Sequence, residues 1–184
     1  MKTETNTEKH IYRDIVEWME ALLISFVLIV LLYTFFFRVI TVSGGSMENT
    51  LNDGDRMIVR CVAYTPRRGD VIVVDSYSHY GAPLVKRIIA VAGDEVDIDF
   101  KTGAVMVNGQ QLDEPYLYNG ELTHASHDVT FPLTVKDGCV FVLGDHRAVS
   151  LDSRSSEIGQ IDNRDILGKV IWRLYPFSEM GAIK

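Results

Sequence analysis

Ala21 to Phe37 reads ALLISFVLIVLLYTFFF, without a charged residue. A helix rises 1.5 Å per residue, so about 20 residues cross a hydrocarbon core of roughly 30 Å. Val39 and Ile40 extend the run beyond Arg38. A surface apolar on every side does not suit a soluble helix. No small-x-small site follows, as one would after a cleaved signal peptide. The stretch therefore reads as one uncleaved signal anchor over residues 21–40. Upstream, Ile11, Ile15, Trp18 and Leu22 recur at helical spacing. One helix is expected to run from near Lys9 into the membrane, with Trp18 at the headgroup level. Lys2, Lys9 and Arg13 precede the run and only Arg38 lies close behind it. That bias puts residues 1–20 in the cytoplasm and residues 41–184 outside, as an extracytoplasmic domain at a bilayer.

Downstream, the periodicity changes to two. Arg56 to Tyr64, Val71 to Tyr77 and Leu84 to Val91 are rich in Val and Ile and bounded by turns at Asn52-Asp53-Gly54-Asp55 and Pro66 to Asp70; they predict strands. Glu95 to Phe100 and Ala104 to Val107 flank Lys101-Thr102-Gly103, a hairpin signal, and Asn108-Gly109 closes a second tight turn. Leu112 to Asp128 is polar and reads as a surface excursion. Val129 to Val135 and Cys139 to Leu143 read as strands about Lys136-Asp137-Gly138. Ser150 to Asp165 reads as a loop, and Leu167 to Tyr175 as a final strand stopped by Pro176. Many short strands with Gly-rich turns predict a mostly β sandwich or barrel behind one transmembrane helix.

The chain has 184 residues, a net charge of −7 and a pI near 5.2. It carries no basic run that could track phosphates, so no nucleic-acid partner is expected. No Cys/His cluster has ligand spacing, so neither metal nor cofactor is expected. Cys61 and Cys139 each sit in an apolar run and read as small core residues. Two cysteines make no disulfide framework, and their redox state stays open.

Chemistry concentrates in three stretches. The first is Val42-Ser43-Gly44-Gly45-Ser46-Met47-Glu48-Asn49-Thr50-Leu51, close behind the anchor. Two glycines lead into a serine, so another chain can come close to its hydroxyl and backbone N–H. A serine hydroxyl is a poor nucleophile until a base takes its proton. His10 precedes the anchor, His79, His124 and His127 lie in polar stretches, and only His146 lies in a motif. Lysine can be the base where burial favours the neutral amine. The second stretch, Leu84-Val85-Lys86-Arg87-Ile88-Ile89-Ala90-Val91-Ala92-Gly93-Asp94, offers Lys86. On a strand Leu84, Lys86, Ile88 and Ala90 share one face, and Val85, Arg87, Ile89 and Val91 the other. Arg87 cannot deprotonate usefully and should find solvent or a carboxylate. The third stretch is Gly144-Asp145-His146-Arg147-Ala148-Val149-Ser150-Leu151-Asp152-Ser153-Arg154.

In this order, behind a membrane anchor, the three stretches resemble the signature boxes of bacterial type I signal peptidases, from the anchor to Pro176. The resemblance implies two antiparallel sheets with the site near one end. It implies a membrane-bound serine endopeptidase that cuts exported preproteins after small residues as they leave the translocase. Ser46 then matches the nucleophile, Lys86 the general base, and Ser150 the serine that hydrogen-bonds the lysine. Asp152 and Arg154 match a supporting pair. The Ser46 backbone N–H should donate to the oxyanion. Gly44 stands where some members supply a second donor from a serine, so that donor is unassigned. Asn49 replaces the usual proline, losing its fixed φ, and His146 replaces the usual asparagine. A Ser/His peptidase with His146 as base, a self-cleaving Ser/Lys repressor, and a non-enzymatic domain that binds exported chains are the rivals. Lys86 on its apolar strand speaks against the first. The anchor, standing where the repressors carry a DNA-binding domain, speaks against the second. Activity on a preprotein separates the third.

Overall fold

The computed structural model describes residues 4–75 and 81–183, in two compact units, Met1–Phe37 and Arg38–Lys184. The first is a single helix, α1, Glu4–Phe36. Its stretch Ile11–Phe36 is long and apolar enough to cross a membrane. The helix begins before Lys9 and ends before the expected limit at residue 40. Val39, Ile40 and Thr41 are β-branched and lie instead in a strand, β1, Phe37–Thr41.

The second unit is built from β2 (Arg56–Arg60), β3 (Val71–Val74), β4 (Leu84–Val91), β5 (Glu95–Asp99), β6 (Ala104–Val107) and β7 (Gln110–Gln111). It continues with β8 (Leu133–Thr134), β9 (Cys139–Leu143), β10 (Ile161–Asp162), β11 (Ile166–Tyr175) and β12 (Gly181–Ala182). One sheet runs β1-β2-β11-β3-β4-β9-β10, with β12 on β11; the other runs β7-β6-β5-β8. The ladders β2–β11, β11–β3, β3–β4, β4–β9 and β5–β6 are antiparallel. The fold is thus mostly β, as the strand pattern predicts, with the two antiparallel sheets that the resemblance implies.

Most strands fall where the periodicity puts them, and the departures have local causes. The strand from Arg56 stops at Arg60, and the chain turns soon after, with Ala63 at φ +52°. The strand from Val71 ends at Val74, and Tyr77 and His79 lie outside the described residues. Asn108 and Gly109 both take positive φ, so Val107 pairs with Gln110 across a two-residue turn. Val129 to Val135 supplies only Leu133–Thr134 as strand, and this pairs with β5, while Cys139–Leu143 joins β4 in the other sheet. The two segments about Gly138 are therefore not a hairpin; the chain crosses there between sheets. Ser150 to Asp165 contains β10, and β11 is followed by β12, so β11 is not the last strand.

β4 carries a bulge where Ile88 faces Val142 and Ala90 faces Phe141, leaving Ile89 between them. The extra residue reverses the alternation. Ile89 and Ala90 both pack into the cluster formed with Val96, Ile98, Val105 and Val107 of the smaller sheet. Leu84, Ile88 and Val91 pack with Ile72 and Val142, and Val85 with Met57 and Val71. The expected placement of Ala90 beside Lys86 does not hold, whereas Leu84 and Ile88 keep it. Cys61 and Cys139 are free thiols, half-buried against different clusters.

Phe141, from β9, is fully buried in the cluster shared by the two sheets. Its ring meets Phe131 edge-on at 5.8 Å. Phe141→Ala is expected to cost about 3–5 kcal/mol, as truncating a well-packed buried aromatic does. Urea unfolding of the detergent-solubilised chain measures it; a loss below about 1 kcal/mol would show that the sheets do not depend on this ring.

Candidate active site

Residues 42–51 form a loop held at both ends. Val42 N–H donates to the Asp55 carbonyl at 2.8 Å, and Gly44 N–H to Asp53 Oδ1 at 2.8 Å. Gly44 has φ +90°, a conformation strained for any L side chain. A serine would not sit there without strain, and the Gly44 amide is already engaged. From Met47 the chain makes one turn, with Leu51 N–H donating to the Met47 carbonyl at 2.7 Å. Met47 and Leu51 are buried with Val42, Met57 and Val59. The turn is thus nailed to the core by its apolar residues and presents Ser46 at its start.

Lys86 Nζ lies 2.8 Å from Ser46 Oγ. Lys86 projects from the middle of β4, opposite Ile72 of β3, and is 3% exposed. Burial pushes its amine down from 10.5 to about 8; the Asp152 carboxylate pulls it back up, Arg154 pushes it down, and Asp145 pulls it up. Among the described residues Lys86 is the hydrogen-bond partner of the Ser46 hydroxyl, and no acceptor takes the Ser46 N–H.

The third stretch closes on this pair. Gly144 sits where an added Cβ would overlap both the Ser46 carbonyl oxygen and the Ser150 hydroxyl. His146 N–H donates to that same Ser46 carbonyl at 3.1 Å. Arg154 grips Asp152 with Nε at 2.8 Å and Nη2 at 2.9 Å, and both residues are fully buried. The remaining Arg154 donors reach the carbonyls of Ala125, Arg147 and Ser150. Burial pushes the Asp152 carboxyl up, but Arg154, with Ser150 and the Gly144 amide, together hold it below its ordinary range. Ser150 is buried near enough to Asp152 to favour its charge, yet its Oγ is aligned with no hydrogen-bond partner. The implied Ser150–Lys86 hydrogen bond is therefore not formed.

His146 is brought close to Ser46 but faces away from its hydroxyl. Its Nδ1 meets Glu48 Oε2 at 2.9 Å, its Nε2 lies 3.6 Å from Glu121, and its ring stacks on Tyr118 at 4.2 Å. Arg87, on the opposite face of β4 from Lys86, finds a carboxylate: Nε and Nη2 meet Asp145 at 2.8 and 2.7 Å. Thr50 also bonds Asp145, tying the serine loop to the third stretch.

Residues 112–128 are not a free surface excursion. Glu114 takes Arg147 at 2.5 Å, Thr123 is fully buried beneath the same guanidinium, and Tyr116 covers Arg87 at 4.0 Å. Burial pushes the Tyr116 hydroxyl well above its ordinary value. Composition hid this, because Glu114 and Thr123 count as polar until their partners are known. Arg147 was the available clue, since a buried guanidinium needs a carboxylate from somewhere.

The Gly144 contact generates a sharp expectation. Gly144→Ala displaces either the Ser46 carbonyl or Ser150, and misplacement on the 1 Å scale costs roughly a hundredfold in turnover. Peptide cleavage measured alongside thermal unfolding tests it; full activity in a stable Gly144→Ala protein would mean that the close packing has no bearing on the site.

The family described as signal peptidase, peptidase S26 matches residues 15–175. Signal peptidase IB of Staphylococcus aureus is 38% identical across 91% of this chain and 93% of its own. Signal peptidase I of Bacillus licheniformis is 34% identical across 98% of both. A crystal structure of a signal peptidase I from Enterococcus faecalis aligns at 26% identity with a TM-score of 0.45, over 58% of this chain and 97% of that one. With 161 of its residues spanned by the family match and relatives alike over nearly its whole length, this chain belongs to the signal peptidase, peptidase S26 family.

Proposed function

We propose that Ser46 and Lys86 are the dyad with which this signal peptide-cleaving serine peptidase works. The observation that carries the assignment is the 2.8 Å contact between Lys86 Nζ and Ser46 Oγ, made by an amine that burial keeps easy to deprotonate. In the neutral form, Nζ accepts the Ser46 proton as Oγ attacks the scissile carbonyl. The Ser46 N–H stabilises the oxyanion. The ammonium then protonates the leaving amine of the mature chain, and the neutral amine next activates water to release the signal peptide. Asp152 and Arg154 support the base electrostatically. A lone buried carboxylate beside Lys86 would hold its proton on, and Arg154 cancels much of that pull. Ser150 supports through packing against Gly144. The second oxyanion donor is not Gly44, whose amide is held by Asp53.

The substrates are exported preproteins. We place residues 1–20 in the cytoplasm, residues 21–40 at the bilayer and residues 41–184 outside it as the catalytic domain, beside the translocase from which preproteins emerge. What supports this is the apolar run and the basic residues before it. Protease added outside intact spheroplasts should cut beyond about residue 40; protection of the β domain would reverse the orientation.

Ser46→Ala and Lys86→Ala should each lower processing by roughly 10³-fold or more in folded protein. His146→Ala should keep activity that Lys86→Ala lacks. Because the base must be neutral, activity should rise with pH through a limb near 8, set by Lys86. Lys86→Arg, which keeps the charge but yields no proton in this range, should be inactive. The rate–pH profile with the arginine variant decides. A limb at the ordinary lysine value, or an active Lys86→Arg, would hand the base role to another group.

A further inference from the structure

Asn49 has φ +82°, in the left-handed region that few residues with a side chain adopt and Asn tolerates best. Its Nδ2 reaches across the site and donates to the carbonyls of Tyr116 at 3.1 Å and Leu117 at 3.4 Å. Neither the conformation nor the donor is available to a proline, whose φ is fixed near −65°. The missing proline is therefore not a missing restraint. A different restraint stands in its place, and it runs to a segment far away in sequence.

That segment is itself locked to the strand that carries the base. Tyr116 lies over Arg87, the residue after Lys86, with the guanidinium 4.0 Å from the ring centroid. Tyr118 N–H donates to the Asp145 carbonyl at 3.1 Å, and Glu114 accepts from Arg147. The contacts close a ring: Ser46 to Asn49 along the turn, Asn49 to Tyr116, Tyr116 to Arg87, Arg87 to Lys86 along β4, and Lys86 back to Ser46. The bonds inside the turn fix its shape, and Met47 and Leu51 fix its depth. The Asn49 link adds a direct restraint on the turn from the segment packed on β4, and with it on the distance from Oγ to Nζ.

We propose that Asn49 is a positioning residue for Ser46: it hooks the serine turn to the segment Glu114–Thr123 and so sets the serine against Lys86. This rests on the assignment of Ser46 as nucleophile. Asn49→Gly keeps the left-handed backbone and removes the hook. Asn49→Asp keeps the side-chain shape but replaces the donor by a carboxylate facing two carbonyls. Asn49→Pro imposes the wrong φ as well.

The test uses the full chain in detergent and a preprotein substrate, with Ser46→Ala in parallel. Asn49→Gly and Asn49→Asp should lower kcat about 5–10-fold, the scale of one lost hydrogen bond, with KM unchanged within about twofold and the acylation rate of Ser46 falling in step. Asn49→Pro should lose more than Asn49→Gly. Wild-type kcat in the Gly and Asp variants, with Ser46→Ala dead, overturns the hook and leaves the dyad standing. Processing by Ser46→Ala overturns the dyad, and the hook with it. A rise in KM at constant kcat overturns the hook too, because Asn49 would then be touching substrate. So does an Asn49→Gly chain that no longer unfolds cooperatively, since Asn49 would then be needed to fold rather than to position.

Discussion

A lysine amine is buried in this protein, and its affinity for a proton is lowered although carboxylates lie near it: that constraint organises this domain. Desolvation does most of the work, and it is available only because Lys86 sits mid-strand with strands on both sides. The carboxylates nearby oppose it. Asp152 and Asp145 are each gripped by a guanidinium, Arg154 and Arg87, through two donors. Arg154 offsets part of the pull of Asp152 on the Lys86 proton, and the Asp145 pull is the smaller of the two. Two buried ion pairs are costly to assemble, and here their geometry serves the titration of a third group.

The same pairs do mechanical work. Asp145 and Thr50 join the serine loop to the third stretch, and Asp152 accepts from the Gly144 amide at 3.1 Å. Gly144 in turn brings that stretch against the Ser46 carbonyl. Charge compensation and positioning are thus carried by one set of side chains. A mutation in that set disturbs both at once, and rate and pH dependence must be read together to tell the two apart.

Strand periodicity made the fold class legible in the sequence, and the anchor was legible from length and apolarity alone. The serine and its lysine were legible because each has a chemical requirement that few other residues here meet. What stayed hidden was long-range. The Ile89 bulge leaves no local mark, since Ile88, Ile89 and Ala90 are all apolar and suit either face. Glu114, Tyr116 and Thr123 look like surface until Arg147 and Arg87 are set beneath them. The Ser150 hydroxyl, expected on Lys86, turned out to be packed on a glycine, a contact that only the meeting of two distant loops creates. Asn49 read as a loss of rigidity because a left-handed φ and a hydrogen bond 67 residues away are not local properties.

The bulge in β4 has one further effect. It lets a single eight-residue strand feed all three hydrophobic clusters: Val85 into one, Leu84, Ile88 and Val91 into another, Ile89 and Ala90 into the third. Lys86 sits amid these anchors, so packing changes in any of the three clusters reach its seat through one strand. Loosening any of them lets water toward the amine and moves its proton affinity back toward that of a free lysine.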